Sequence, residues 1–184
     1  MQGIKILGIA SYIPETVITN EDFTSFIETS DEWITTRTGI KTRRCAMDMP
    51  TWKIGSNAAE KAIEQSGISK DEIDLIICTT VTPDTLIPST ACYIQNELGM
   101  AGCMAFDINC ACSGFVYAVD MAQKYIAGGS ARNVLVVSSE ELSKAEALEM
   151  FANDEYKLDL INGLDDGNIS IFLTDNDTKT ESFF

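Results

Sequence analysis

Three short apolar runs that alternate with helical patterns are the feature that most constrains the fold of this chain. The runs cover residues 74–80, 103–108 and 133–138. Each is apolar almost without interruption, which is typical of strands buried on both faces. Helical patterns between such strands imply right-handed crossovers within a parallel sheet. We therefore expect an α/β fold with a mostly parallel sheet that helices cover on both faces.

The remaining elements follow from capping residues and periodicity. Further strands are expected at residues 4–10 and 169–173, and helices at 30–39, 52–65, 89–98 and from 115 to about 127. Ser30 can cap its helix and Gly39 can end it in a left-handed conformation. Residues 143–163 are polar and predict a short helix and a loop. We expect one domain over residues 1–174 and a frayed tail over 175–184.

A cysteine motif, residues 107–115, lies where the run ending at Ile108 gives way to a helical pattern. In parallel sheets, chemistry gathers beyond the carboxyl ends of the strands. Backbone N–H groups and the dipole at a helix N-terminus favour the thiolate of a cysteine placed there. The pattern therefore makes Cys112 a candidate nucleophile, with a buried, inert thiol as the alternative. Cys110 is expected to pack in the core.

Several function classes have no support in the sequence. The six cysteines form no C-x-x-C pair and there is no histidine, so no metal site is expected. A net charge of −15 argues against nucleic acid and anionic membranes as partners. No apolar run reaches the roughly 20 residues of a membrane span. With no signal peptide at the N-terminus, we expect a cytoplasmic protein.

Four basic residues stand close together in this acidic chain: Arg37, Lys41, Arg43 and Arg44. Such a cluster is a candidate binding site for an anion. The alternative is a solvated face that offsets nearby carboxylates.

Four segments together resemble a known family. They are residues 6–22, 29–40, 88–99 and 107–115, in the same order and spacing, within residues 1–142. The chain resembles the N-terminal half of β-ketoacyl-acyl-carrier-protein synthase III, a condensing enzyme of the thiolase fold. Residues 166–173 resemble a weakened form of the family's glycine-rich segment, because Asn168 and Ile169 replace small residues there.

The resemblance implies roles for particular residues. Cys112 would accept an acyl group from acyl-CoA before condensation with malonyl-acyl carrier protein, the step that initiates fatty acid synthesis. Trp33 and Arg37 match positions that hold the adenine end of coenzyme A, with Thr29 a weaker candidate beside them. Ile87 matches a position that reaches into the acyl pocket of the partner subunit in a homodimer. No permanently bound cofactor is implied, since acyl-CoA is a substrate.

Each of these roles has a structural alternative. Trp33 can be a packing residue on an amphipathic helix, and Arg37 can serve only the negative C-terminal end of that helix. Ile87 can be an ordinary core or interface residue.

The resemblance also implies that a second half is absent. The family fold is a five-layered α-β-α-β-α sandwich, of which this chain would be one half, and the family's catalytic histidine and asparagine lie in the other. We expect condensation to fail without them and carrier-protein binding to be weakened. A lone half would expose apolar helix faces and self-associate. Alternatives are a non-catalytic dimerisation or partner-binding module, a relative in secondary-metabolite synthesis and, less well supported, a thiol-based redox or metal protein.

Overall fold

The computed structural model describes residues 3–25, 28–143 and 167–175. Its strands are β1 (Ile4–Tyr12), β2 (Thr16–Thr19), β3 (Thr42–Cys45), β4 (Leu75–Thr79), β5 (Met104–Ile108), β6 (Asn133–Glu140) and β7 (Gly167–Asp175). Its α-helices are α1 (Asn20–Phe23), α2 (Asp31–Thr38), α3 (Thr51–Ser66), α4 (Thr90–Glu97) and α5 (Gly114–Ala127). Short 3₁₀ turns cover Lys70–Glu72 and Ala111–Ser113.

Five of the strands form one sheet in the order β1-β7-β6-β4-β5. The central strand β4 runs parallel to both neighbours, with Leu75 opposite Met104 of β5 and Val134 of β6. Strand β7 is antiparallel to β6 and to β1. Four of the five strands therefore point the same way, and the predicted α/β fold with a mostly parallel sheet is confirmed.

Helices cover both faces of this sheet and divide the core in two. On one face, α3 and α4 pack against Ile76 and Cys78 of β4 and against alternate residues of β6. On the other face, α5 packs through Ala118 and Ala122 against Leu75. Since successive residues of a strand point to opposite faces, both sides of β4 must be apolar, which explains its unbroken apolar run. Among the described residues, no helix is both long and apolar enough to span a bilayer.

The predicted start and end of α2 are confirmed. Trp33 N–H donates to Ser30 Oγ at 3.1 Å, which satisfies one of the free donors of the first turn. Gly39 ends the helix at φ 76°, a left-handed conformation that residues with a Cβ rarely adopt. The bounds of the helix that carries Trp33 and Arg37 are therefore set by Ser30 and Gly39, as the sequence predicted.

The sequence did not predict the hairpin of β2 and β3 or the short helix α1. The two strands pair antiparallel, from Thr16 opposite Cys45 to Thr19 opposite Thr42. They are four residues long and mostly polar, so they lack the alternation that marks a strand. Strand β7 also extends two residues beyond each end of the predicted one. The expected helix and loop at 143–163 and the expected tail fall almost wholly on residues outside the described ranges.

Candidate active site

Cys112 lies on the turn that joins β5 to α5. Strand β5 ends at Ile108, the 3₁₀ turn Ala111–Ser113 follows, and α5 begins at Gly114. The side chain of Cys112 is exposed. The predicted position at a strand-to-helix junction is confirmed, and the alternative of a buried, inert thiol is wrong for this chain. An exposed thiol at the start of a 14-residue helix is placed where a nucleophilic cysteine is expected.

The residue before Cys112 has an unusual backbone conformation. Ala111 has φ 46°, in the left-handed region that costs a residue with a Cβ about 1 kcal/mol or more. The turn is closed by a hydrogen bond from Ser113 N–H to the Cys110 carbonyl at 3.1 Å. Strain of this kind collects at functional sites, where the surrounding structure holds it in place.

Gly114 lets this turn approach the neighbouring strand closely. A Cβ at position 114 would lie 3.0 Å from Thr79 Cβ on β4. Thr79 is itself fixed, because its hydroxyl donates to Ser138 Oγ of β6 at 2.8 Å. Contact between Gly114 and Thr79 thus sets the height of Cys112 above the ends of the parallel strands.

We expect Gly114→Ala to destabilise the fold by about 1–3 kcal/mol, as overpacked sites do. The backbone φ of −54° suits any residue, so the cost is steric. It outweighs the gain of up to about 1 kcal/mol from a better helix former. Urea denaturation measures the change. Gly102→Ala is the matched control, since a Cβ there meets nothing within 4 Å. Equal stability of the two variants would contradict the contact.

Asp107, on β5, ties the strand to the start of α4. Its two carboxylate oxygens accept hydrogen bonds from the N–H groups of Thr90 and Ala91, both at 2.7 Å. Ser89 Oγ caps the same helix by accepting from Cys92 N–H at 3.3 Å. A carboxylate at a helix N-terminus also interacts favourably with the helix dipole. The sequence reasoning missed this role, although an acidic residue inside an apolar strand was a visible signal.

Glu140, the last residue of β6, fixes the loop that follows β4. One carboxylate oxygen accepts from Val81 N–H at 2.9 Å, and the other accepts from Thr82 Oγ1 at 2.7 Å and Thr80 Oγ1 at 3.2 Å. Burial raises the pKa of Glu140 above its usual range, although these hydrogen bonds to the carboxylate oppose the rise. The sequence reasoning missed this residue as well.

The raised pKa of Glu140 predicts a pH dependence of stability. The folded chain holds this proton more tightly than the unfolded chain does. The group's stabilising contribution is therefore complete below about pH 4.3, the usual Glu pKa, and is lost as the pH rises through the folded value. Relative to Glu140→Gln, which does not titrate, the free energy of unfolding of the unchanged chain should fall from about pH 4 to pH 7.

Chemical denaturation across that pH range measures the difference for Glu140. The exposed-site variant Glu15→Gln controls for the loss of one negative charge. A difference between the chain and Glu140→Gln that stays constant with pH would show that burial of this carboxyl does not shift its titration.

Trp33 and Arg37 form a stacked pair on α2. The guanidinium carbon of Arg37 lies 4.2 Å from the centroid of the Trp33 ring. Arg37 is exposed and Trp33 is half-buried, so the guanidinium is the outer layer of the pair and covers one face of the indole. Thr29 lies just before this helix, and its buried hydroxyl has no hydrogen-bond partner among the described residues. The two predicted adenine-binding residues are thus in contact.

The basic cluster is smaller than the sequence predicted. Arg43 is 2% exposed, donates to Asn20 Oδ1 at 2.6 Å and stacks on the Phe23 ring. Arg44 donates to the backbone carbonyls of Pro14 and Glu15. The prediction of a four-residue anion site is therefore wrong for Arg43, because its guanidinium is buried against Asn20 and Phe23 of α1. Arg37 and Lys41 remain exposed.

Ile87 lies at an exposed apolar tip in the loop between β4 and α4. Leu86 and Ile87 are 91% and 89% exposed. The loop is held beneath this tip, since Asp84 accepts hydrogen bonds from the N–H groups of Thr51 and Trp52 at 3.1 and 3.0 Å. Because β4 and β5 are parallel neighbours, this loop and the Cys112 turn leave the same edge of the sheet. The alternative of an ordinary core residue is wrong for Ile87.

The six cysteines fall into three pairs by burial. Cys45 and Cys78 are buried and Cys92 and Cys103 half-buried, as expected of cysteines that act as small apolar residues. Cys110 is exposed beside Cys112. The prediction that it packs in the core is wrong, because β5 ends two residues earlier, at Ile108.

Comparison with known proteins gives a consistent result. The sequence profile of the 3-oxoacyl-acyl-carrier-protein synthase III family matches residues 106–153, which include Cys112. The β-ketoacyl-acyl-carrier-protein synthase III of Aquifex aeolicus is 49% identical over 143 residues, 78% of this chain and 46% of the relative. The enzyme of the same name from Xanthomonas campestris pv. campestris is 50% identical over 141 residues, 76% of this chain and 43% of the relative.

Solved structures agree with the sequence matches. The crystal structure of the Aquifex aeolicus synthase III superposes with a TM-score of 0.83 at 39% identity, over 98% of this chain and 55% of that one. The priming β-ketosynthase of the R1128 polyketide pathway gives a TM-score of 0.82 at 30% identity, over 96% of this chain and 51% of that one. The chain spans about half the length of the curated relatives it matches. It is therefore a homologue of the N-terminal half of β-ketoacyl-acyl-carrier-protein synthase III, with the thiolase-like fold of that family.

Proposed function

We propose that this chain is the acyl-accepting half of a β-ketoacyl-acyl-carrier-protein synthase III. Cys112 takes the acyl group from acyl-CoA, and the complete enzyme condenses it with malonyl-acyl carrier protein to give a 3-oxoacyl product. The observation that carries the proposal is the exposed Cys112 thiol between the end of β5 and the start of α5. We place the domain at residues 1–174 and the protein in the cytoplasm.

The proposed chemistry begins with the Cys112 thiolate. It attacks the thioester carbonyl carbon, the carbonyl oxygen becomes an oxyanion, and the coenzyme A thiolate leaves as the carbonyl re-forms. Backbone N–H groups at the turn, including that of Cys112, are the donors that would stabilise the oxyanion. The strained Ala111 and the fixed Gly114 contact keep this turn in one geometry. No permanently bound cofactor takes part.

Coenzyme A binding is assigned to the exposed pair on α2. A purine can stack on the exposed Arg37 guanidinium, which covers one face of the Trp33 ring and attracts electron-rich rings. Thr29 precedes the first turn of α2, and its buried hydroxyl has no partner within the described ranges, which supports its inclusion as a hydrogen-bonding residue. Lys41 and Arg37 are the exposed cations available to phosphates.

Selectivity for the acyl group is assigned to Ile87. In the proposed homodimer, its exposed tip enters the partner's acyl pocket. A branched aliphatic side chain leaves more room there than an aromatic ring does. We therefore propose that donors longer or more branched than acetyl-CoA are accepted.

Condensation is assigned to the complete enzyme rather than to this half. The chain contains no histidine. We propose that a histidine and an asparagine outside it stabilise the enolate formed when the malonyl group loses carbon dioxide. Acyl carrier proteins are acidic, and so is this chain, with a net charge of −15. Binding of the carrier protein therefore depends on basic residues of the missing half.

A donor series tests the proposal. The chain is incubated with acetyl-, isobutyryl- and longer acyl-CoA, and the acyl group is located by mass spectrometry of peptides. We expect an adduct on Cys112. With isobutyryl-CoA as the donor, the yield of this adduct should be higher in the unsubstituted chain than in the Ile87→Phe variant. No adduct on folded chain with any donor would contradict acylation by this half. An adduct with unchanged donor preference in Ile87→Phe would contradict only the role of Ile87.

Two other functions remain as alternatives, each with an observation in its favour. Exposed Val116 and Tyr117 on α5, 65% and 53% exposed, favour a module that binds a partner half or dimerises without catalysis. The match to a priming β-ketosynthase of a polyketide pathway favours a relative in secondary-metabolite synthesis. Self-association of the chain without acylation of Cys112 would support the non-catalytic module. The preferred acyl donor would distinguish a synthase of fatty acid synthesis from one of secondary-metabolite synthesis.

A further inference from the structure

Cys110 gives the candidate active site a second thiol. Cys110 and Cys112 are the two exposed cysteines of the six, and one residue separates them. Both belong to the turn between β5 and α5, which the hydrogen bond from Ser113 N–H to the Cys110 carbonyl closes. The Cys112 thiol therefore has a neighbour of the same chemistry on its own turn.

The backbone of this turn suits a bond between the two sulfurs. Consecutive Cα atoms are about 3.8 Å apart, so residues separated by one other lie no more than about 7 Å apart even in an extended chain. Ala111, between them, is bent at φ 46°, which shortens that separation. The Cα atoms of disulfide-bonded cysteines lie about 4.4–6.8 Å apart. The Cα separation of Cys110 and Cys112 is therefore within reach of a disulfide formed inside this turn.

The other four cysteines are held elsewhere. Cys45 and Cys78 are buried. Cys92 Sγ lies 3.2 Å from Ser89 Oγ, and Cys103 Sγ lies 3.4 Å from the Met100 carbonyl oxygen. None of them shares the Cys112 turn. Cys110 is thus the thiol that can meet an oxidised Cys112 without rearrangement of the sheet or its helices.

We propose that Cys110 and Cys112 form a reversible disulfide when the chain meets hydrogen peroxide. The Cys112 thiolate attacks one peroxide oxygen, the O–O bond breaks, hydroxide leaves, and Cys112 becomes a sulfenic acid. The Cys110 sulfur then attacks Cys112 Sγ, the S–S bond forms, and the S–O bond breaks with release of water. Together the two thiols supply the two electrons that reduce one peroxide to two waters.

The disulfide has two consequences. It blocks acyl transfer to Cys112 until a dithiol reductant restores both thiols. It also stops oxidation at a reversible stage, because a sulfenic acid without a nearby thiol proceeds to sulfinic acid, which a dithiol does not reduce. The proposal uses the same thiol as the proposed function, but its test uses no acyl donor and reads the loss of two hydrogen atoms after peroxide treatment.

Peptide mass spectrometry tests the proposal on the full chain. The chain is treated with hydrogen peroxide, free thiols are alkylated, and cleavage before Asp107 and Asp120 releases residues 107–119, which contain Cys110 and Cys112 and no other cysteine. We expect this peptide to be unalkylated and lighter by two hydrogen atoms, and dithiothreitol before alkylation to reverse the change completely. Cys103→Ser is the matched control and should give the same result.

Cys110→Ser separates the proposal from oxidation of Cys112 alone. In this variant we expect sulfinic acid on Cys112, with complete loss of recovery by dithiothreitol. The proposal is overturned if the unchanged chain also accumulates Cys112 sulfinic acid while Cys110 is alkylated, or if Cys112 pairs with another cysteine. Acylation of untreated chain is measured in parallel. Its absence would contradict the proposed function and leave the disulfide result interpretable.

Discussion

Replacement of Cys112 by serine is expected to abolish transfer of an acyl group from acyl-CoA to the chain. A serine hydroxyl needs an adjacent base to become a good nucleophile, whereas cysteine sulfur is intrinsically far more nucleophilic. We expect the rate of adduct formation to fall by at least about 10³-fold, the size of effect seen when catalytic nucleophiles are removed. Stopped incubations followed by intact-mass measurement give the rate.

Cys103→Ser is the control for Cys112→Ser. Cys103 is half-buried near the start of β5 and lies on no part of the Cys112 turn. Its replacement should leave the acylation rate within about twofold, the usual effect of a substitution outside a reacting centre. An adduct that persists in Cys112→Ser, or that disappears in Cys103→Ser, would mean that another group accepts the acyl chain.

Asp107→Ala is expected to cost the largest amount of stability among the variants considered. It removes both acceptors from the N–H groups of Thr90 and Ala91 and leaves the first turn of α4 without its carboxylate. Hydrogen bonds to a charged group contribute about 1.5–3 kcal/mol each, and partial exposure of Asp107 reduces the total. We expect a loss of about 3 kcal/mol in the free energy of unfolding, measured by urea denaturation.

Two further variants define what Asp107 contributes. Asp107→Asn keeps one acceptor oxygen but loses the charge, so its loss should be about half as large. Asp48→Ala, at an exposed loop carboxylate, should change stability by less than about 0.5 kcal/mol. If Asp107→Ala lowers the free energy of unfolding by no more than Asp48→Ala does, the junction of β5 and α4 does not depend on the Asp107 carboxylate.

Local signals in the sequence were enough to predict most of the sheet and several helix ends. The unbroken apolar run of β4 requires two covered faces, and the structure has α3 and α4 on one and α5 on the other. The cap by Ser30 and the left-handed Gly39 act within one helix, so their neighbours along the chain specify them. The position of Cys112 was also predicted from local signals, namely the end of an apolar run and the start of a helical pattern.

The features that sequence reasoning missed depend on contacts between distant residues. Glu140 binds the N–H of Val81, 59 positions away, and Asp107 binds that of Thr90, 17 positions away. Nothing near an acidic residue in the sequence indicates which distant N–H groups it will meet. The end of β5 at Ile108 was predicted, but the exposure of Cys110 was missed because it depends on the turn that follows the strand rather than on the strand itself.

The most direct test of acyl transfer to Cys112 is the mass of the folded chain after incubation with acyl-CoA, followed by cleavage before Asp107 and Asp120. We predict one acyl group per chain, carried by the peptide of residues 107–119 and removed by hydroxylamine, as a thioester should be. A folded chain that gains no acyl group, or that carries it on a peptide without Cys112, would contradict the assignment of Cys112 as the acyl acceptor.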